Sequence, residues 1–380
     1  KTSNLAQIFE QVVIMNNTRA TQPTSIWAWF GKKTDMFVLW FIAKVFGLML
    51  ALFMGLMSRQ RMSHNNGIAA EGFLNIVDDP DFPEHQFFKP GRRFPLRIRH
   101  ATATFYDDAM NGIRSMSIKF SHEHFDSPFD IEMNTGATSL FWSAASFLQF
   151  ARLRKEKYGI EYPEYYRRYP EGLTGAQISL RRDPDSFHNL HYYCKTPFQF
   201  IADDGTRYYA KYRVKPFDDE PETGKIKDPT EWDTCNQRIL PHETRGRNFL
   251  KDEYIERVTT KGAKYRMQIQ LLKASEGEDP EIFNNMVVWD EEKHPWMDLA
   301  VLEVDSMLDW TDSNLTSFSL NNMPDTLGII PAESIHDYNS LNYMRSHSEI
   351  ARKARIFAYK LFGGPKEIPD NDHRNSSSIN

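Results

Sequence analysis

The stretch FQFIADDGTRYYAKYRV, residues 198–214, decides the fold. Two runs rich in aromatic and β-branched side chains, Phe198–Ala202 and Arg207–Val214, flank the turn Asp203-Asp204-Gly205. That order reads as two antiparallel strands joined by a hairpin. The same texture recurs at Arg114–Phe120 (RSMSIKF), Tyr265–Leu272 (YRMQIQLL) and Met286–Trp289, so these are read as further strands. Helical patterns are fewer: Ser139–Tyr158, Pro163–Tyr169, Ala176–Arg182 and Ser346–Phe362. Strands with interspersed helices and no βαβ rhythm predict an α+β chain built on a large antiparallel sheet or barrel. There is no internal repeat. Pro216–Thr234 is charged and turn-rich and reads as a surface excursion, and 363–380 lacks apolar content and reads as an extended tail.

The 380 residues carry 46 basic against 51 acidic side chains, a net charge of −5, with 41% hydrophobic and 13% aromatic content. This is too apolar for a disordered chain, and the charge balance gives no footprint for nucleic acid. Two cysteines, Cys194 and Cys235, are too few for a disulfide scaffold or a thiolate zinc site, so both are read as free thiols. Residue 1 is Lys, which fits a chain that begins inside a longer or processed precursor.

The sharpest change of composition is Met36–Met57, MFVLWFIAKVFGLMLALFMGLM, apolar throughout except for Lys44. About 20 such residues cross a hydrocarbon core. Lys32, Lys33, Arg59 and Arg61 flank the run, with Trp27, Trp29 and Trp40 at interfacial positions. Ala43, Gly47, Ala51 and Gly55 align small residues on one face, the pattern by which membrane helices approach a neighbour. The expectation is a transmembrane helix; an interfacial helix and a soluble core helix are the alternatives. Few acidic residues among the first 36 permit an organellar address, the mitochondrial inner membrane or an endomembrane.

No GxxxxGKS, GxSxG or HExxH motif occurs, which removes the usual support for nucleotide and hydrolase readings. His122, Glu123, His124 and Asp126 read as a solvated turn, and His188 and His191 as structural histidines, so no metal site is expected. A more informative set is Arg61-Met62-Ser63-His64, Arg97 and Arg99 within FPLRIRHA, Asn134 within DIEMNTG, and Arg345. A His and an Asn over a flat apolar cofactor can move a proton between peroxide oxygens and orient them. Arginines at intervals can hold cofactor carboxylates.

On these residues, together with NIVDDPDFPEHQFFKPGRRFPLRIRHA (75–101), FHNLHYYCKTPFQF (187–200), WDEEKHPWMDLA (289–300), PDTLGI (324–329) and DYNS (337–340), the chain resembles the catalase superfamily, most closely the catalase-related allene oxide synthase domain of corals. The resemblance runs from about Arg61 to Arg345. It implies a catalase-like antiparallel eight-stranded β-barrel with flanking helices enclosing haem. It also implies that His64 is the distal histidine, Asn134 the distal asparagine, and Arg61 and Arg99 the haem-propionate arginines. Ser63 stands where the coral proteins have Thr and true catalases Val; a hydroxyl donating to His64 would weaken it as a base toward hydrogen peroxide.

On the proximal side the chain departs from the family. An ungapped reading from Gly328 through DYNS puts the family's arginine at Arg345 and its axial tyrosine at Glu349. Arg355-Ile-Phe-Ala-Tyr359 copies the Arg-x-Phe-x-Tyr form but lies about 15 Å further along a straight helix. The axial candidates are therefore Tyr359, Glu349 and His347. The expected organisation is an arm (1–35), a membrane helix (36–57), the barrel domain (58–362) and the tail (363–380). The expected function is a membrane-anchored haem protein acting on fatty-acid hydroperoxides, or else a non-catalytic subunit of a membrane complex that keeps the fold without haem.

Overall fold

The computed structural model describes residues 26–61, 63–103, 107–156, 161–226, 239, 242–275, 279–347 and 349–364. Most of the arm, nearly all of the tail, Cys235 and the second half of the 216–234 excursion lie outside the described residues. Eight strands close an antiparallel barrel in chain order: β1 (Asn66–Ile76), β2 (Arg93–Thr102), β3 (Arg114–Lys119), β4 (Asp130–Thr135), β5 (Tyr192–Ile201), β6 (Arg207–Pro216), β7 (Ala263–Lys273) and β8 (Trp296–Met307). β1 pairs with both β2 and β8, which leaves no open edge. A bulge at Glu71 and Gly72 sets the β1–β8 register; a Cβ on Gly72 would stand 1.9 Å from the Glu303 carbonyl, so only glycine fits.

The hairpin read from 198–214 is β5 and β6, paired from Tyr192↔Val214 to Ile201↔Arg207. Met286–Trp289 is not a strand: Val287 and Val288 point outward and the segment turns, with the Val287 N–H donating to the Asn284 carbonyl. Inward-facing Leu74, Leu96, Ile98, Met116, Ile118, Ile131, Met133, Phe198, Tyr212 and Ile269 fill the barrel.

Helices α1 (Ile26–Leu50, continuing as a π-helix over Ala51–Ser58), α2 (Ala144–Glu156), α3 (Glu161–Arg168), α4 (Leu173–Ser179), α5 (Phe249–Lys261), α6 (Trp310–Leu315), α7 (Ser340–Ser346) and α8 (Glu349–Phe362) surround it. The helix expected over 346–362 is α8 and begins at Glu349; a separate helix, α7, precedes it and ends before His347. There Ser346 Oγ donates to the Tyr343 carbonyl (2.7 Å) and His347 Nδ1 lies 2.9 Å from the same oxygen. Such side-chain bonds compete with the helical ladder and end it.

The Ala43, Gly47, Ala51 and Gly55 stripe is buried, but against this chain's own domain rather than an outside neighbour. Leu39 and Ala43 pack with Ala144, Ala145, Ala332, Ile335, Leu341 and Met344. A Cβ on Gly55 would meet the Ala351 carbonyl, Ala354 Cβ and the Arg355 nitrogen at 3.1 Å. A stripe of period four drifts by about 40° per step around a 3.6-residue helix. The wider π-turns of 51–58 reverse that drift and keep Gly55 on the domain.

On the outer face of β1–β4, Lys119 and Asp130 form a fully buried ion pair at 3.0 Å. Asp130 also accepts from the Ser319 N–H and Asn322 Nδ2, which pins the 316–322 loop to the barrel. Removing one partner leaves a buried charge uncompensated. Lys119→Met is expected to cost about 3–5 kcal/mol in chemical denaturation, and Lys119→Met with Asp130→Asn to cost less, because no charge then remains buried.

Candidate functional site

Alternation places the even-numbered core residues of β2–β3 inside the barrel and turns their neighbours outward. Register then lines up Ala69, Arg99, Ser117 and Glu132 in one row and Gly67, Ala101, Ser115 and Asn134 in the next. The result is a flat platform of small residues edged by charged and amide groups. Gly67 permits the flatness: a Cβ there would come within 2.7 Å of the Arg99 guanidinium carbon.

His64 reaches the platform from the segment before β1, in the left-handed backbone region (φ 62°) that histidine tolerates better than most residues. The His64 N–H donates to the Ala103 carbonyl, and Arg99 Nη1 donates to the His64 carbonyl (2.9 Å), so the strained turn is held from both sides. Ser63 Oγ lies 2.7 Å from Nδ1. Burial, followed by the charges of Arg99, Arg345 and Arg61, pushes His64 down to about 3, while the Asn134 side chain opposes the fall. Nε2 has no partner of good hydrogen-bond geometry. His64, Ser117, Glu132 and Asn134 are half-buried and keep some accessible surface.

The cover comes from three elements. Arg61 Nη2 donates to the carbonyls of Asn314 (3.2 Å) and Thr316 (2.5 Å), and Arg355 Nη1 on α8 donates to the same Asn314 carbonyl (2.9 Å). Arg345 on α7 is ion-paired with Glu132 on the platform. Burial lowers Arg61 well below its ordinary value, with Arg99 next; burial and Arg355 lower Arg99 to about 9; burial and Arg61 lower Arg355. An arginine does not give up its proton in a protein, so these penalties amount to an unmet demand for an anion. Arg61 Nε, Arg99 Nε and Arg355 Nη2 are buried without partners, which fits a planar group carrying carboxylates.

Of the axial candidates, Glu349 is engaged. It accepts from Arg352 Nε (2.8 Å) and Ser319 Oγ (2.9 Å), and although burial pushes its carboxyl up, these partners hold it below the usual carboxylate range. His347 Nδ1 is held at Tyr343. Tyr359 is 7% exposed and lies one turn beyond Arg355, whose charge it supports. α7 and α8 are separate helices, so 340–362 is not one straight helix. Glu132 and the closeness of Arg355 to Arg61 are not legible in sequence; the only signal for Glu132 is its position two residues before Asn134 in DIEMNT, on the same strand face.

The depressed His64 value sets a pH dependence. Between about 6.5 and 3 the unfolded chain binds a proton at this ring and the folded chain does not, so stability falls as pH drops through that window. His64→Gln is expected to flatten the acid limb of a denaturation series run from pH 7 to 4.

Known proteins match this architecture. The chain superimposes on a bacterial catalase with a TM-score of 0.62 at 16% identity, covering 81% of this chain and 60% of that one. It also superimposes on catalase A from Saccharomyces cerevisiae with a TM-score of 0.60 at 15% identity, covering 84% and 68%. In sequence it is 37% identical over 294 residues to the allene oxide synthase-lipoxygenase protein of Plexaura homomalla, 75% of this chain and 27% of that protein. It is 27% identical over 260 residues to a linolenate 9R-lipoxygenase of Nostoc, 65% of this chain and 32% of that protein. The chain thus spans about a third or less of the length of these two relatives. No family model matches it. The chain is therefore catalase-like: its closed barrel has the catalase fold, and three quarters of its length is similar in sequence to the coral allene oxide synthase-lipoxygenase protein.

Proposed function

We propose that the chain is a membrane-associated haem protein that converts hydroperoxides, with fatty-acid hydroperoxides as the substrate class. The observation that carries this reading is the meeting of His64 and Asn134 on a platform of small residues, beside three buried guanidinium groups each of which has a nitrogen without a hydrogen-bond partner. The similarity to a protein named for allene oxide synthase supports the substrate class.

Haem, when bound, supplies the redox iron needed to cleave an O–O bond. Arg61, Arg99 and Arg355 would hold its carboxylates through charge-assisted bonds. Tyr359 would be the side chain that holds its iron, with Arg355 four residues earlier on the same helix face. The neutral His64 has one donor and one acceptor nitrogen. With the Ser63 hydroxyl donating to Nδ1, Nε2 carries the ring proton and presents a donor to the distal peroxide oxygen. That tautomer is a poor base toward hydrogen peroxide but suits a substrate whose oxygen must be oriented and protonated. The Asn134 amide would fix the same oxygen from the side.

A second reading, a non-catalytic subunit that keeps the fold, draws on the Arg345–Glu132 pair, which ties the platform directly to α7. An absorption spectrum of the purified full chain separates the two. The first reading expects a stoichiometric Soret band, lost or shifted in Tyr359→Phe and unchanged in Glu349→Gln. It also expects His64→Ala to lower kcat/KM on a fatty-acid hydroperoxide by about 10²–10⁴-fold. A colourless native protein would overturn it in favour of the second.

A further inference from the structure

Between 36 and 57, α1 turns its small stripe and Leu39 to the domain, with Val38, Ile42 and Phe46 half-buried beside them, and its remaining large apolar side chains outward. Phe37, Trp40, Phe41, Leu48, Phe53 and Met57 are each between 46% and 66% exposed. On the neighbouring α8, Phe357, Leu361 and Phe362 are 59% to 67% exposed, and Arg59 at the end of α1 donates to the Phe362 carbonyl (2.7 Å), so the two apolar faces adjoin. An exposed apolar surface of this extent marks a binding face.

Three features oppose a spanning arrangement. The helix lies along the domain from end to end: Lys32 pairs with Glu333 (2.5 Å) near its start and Arg59 bonds α8 at its end. Midway, Lys44 lines a cavity of about 380 Å³ with Asn321, Ser346, His347, Glu349 and Ile350. If α1 crossed a bilayer, that polar cavity and both polar ends would be carried into or across the hydrocarbon with it. Lysines also flank the free face: Lys33, Lys44, Lys353 and Lys360 are exposed, Lys353 within 4.0 Å of Glu349 and Lys360 over the Phe125 ring, against Glu333, which is paired with Lys32, and the half-buried Asp35 and Glu349.

We infer that this two-helix face is a monotopic docking plate for an anionic lipid surface, with the rings of α1 and α8 set into one leaflet and the lysines at the headgroups. The full chain does not cross the bilayer. This inference is independent of haem and of catalysis.

The test synthesises the full chain in the presence of sealed vesicles, of phosphatidylcholine alone or with phosphatidylserine, and follows flotation. Several-fold greater flotation is expected with phosphatidylserine. In Lys33→Cys and Gln60→Cys variants, with the parent's labelling subtracted, an impermeant maleimide added outside should label both positions without detergent. Phe37→Ser/Phe41→Ser/Phe357→Ser should lower flotation to background; these side chains are exposed, so the melting transition should hold. Lys353→Glu/Lys360→Glu provides a milder check and should abolish only the preference for phosphatidylserine. Protection of either cysteine until detergent is added would mean that α1 spans. Failure to float on either vesicle, with the chain running as a dimer or co-purifying with a membrane protein, would make the face a protein interface. Either result overturns the inference.

Discussion

Three guanidinium groups buried within one another's fields, at Arg61, Arg99 and Arg355, are the constraint to which the surrounding structure answers. Each comes from a different part of the chain: the approach to β1, the outer face of β2, and α8. Like charges hold such positions only when packing fixes them and acceptors share the load. The Asn314 carbonyl accepts from two of the three, and the His64 and Asn65 carbonyls accept from the third. What those carbonyls leave undone, full negative charge, is what an anionic planar cofactor carries.

The platform follows from ordinary strand alternation. A barrel needs only its inner face to be apolar, and β1–β4 use the outer face for a second purpose. Glycine, alanine and serine make that face flat, and the buried Lys119–Asp130 pair anchors the loop that roofs it. His64 then needs a left-handed turn to reach over the edge, and Arg99 and Ala103 hold it there. Burial keeps the ring neutral, and Ser63 Oγ stands 2.7 Å from its Nδ1.

The apolar helix illustrates how a composition signal leaves geometry open. Length and hydropathy identify Gly31–Ser58 as able to cross a membrane. They do not say what the small stripe touches. In the folded chain it touches α8 and the 332–344 region, and the π-helical end keeps it there, so the helix is part of the domain's wall.

The architecture was legible along the chain, and the candidate site residues were named there from motifs. Period-two segments and turn residues pointed to an antiparallel barrel, and the family motifs identified His64, Asn134, Arg61 and Arg99, because local pattern and short motif survive in one dimension. β1, β2, β4 and β8 are absent from the strands read by texture, although FPLRIRHA and DIEMNT alternate: Leu96, Ile98, Ile131 and Met133 face the core while Arg97, Arg99, Glu132 and Asn134 face outward, and that outward row reads as a motif before it reads as a strand face. Only the tertiary structure decided the proximal side. α8 starts as a helix of its own after His347, Arg355 and Arg61 share the Asn314 carbonyl, and Glu349 is taken up by Arg352 and Ser319. Those outcomes depend on contacts between residues hundreds of positions apart, and spacing along a chain does not encode where a separate helix will lie.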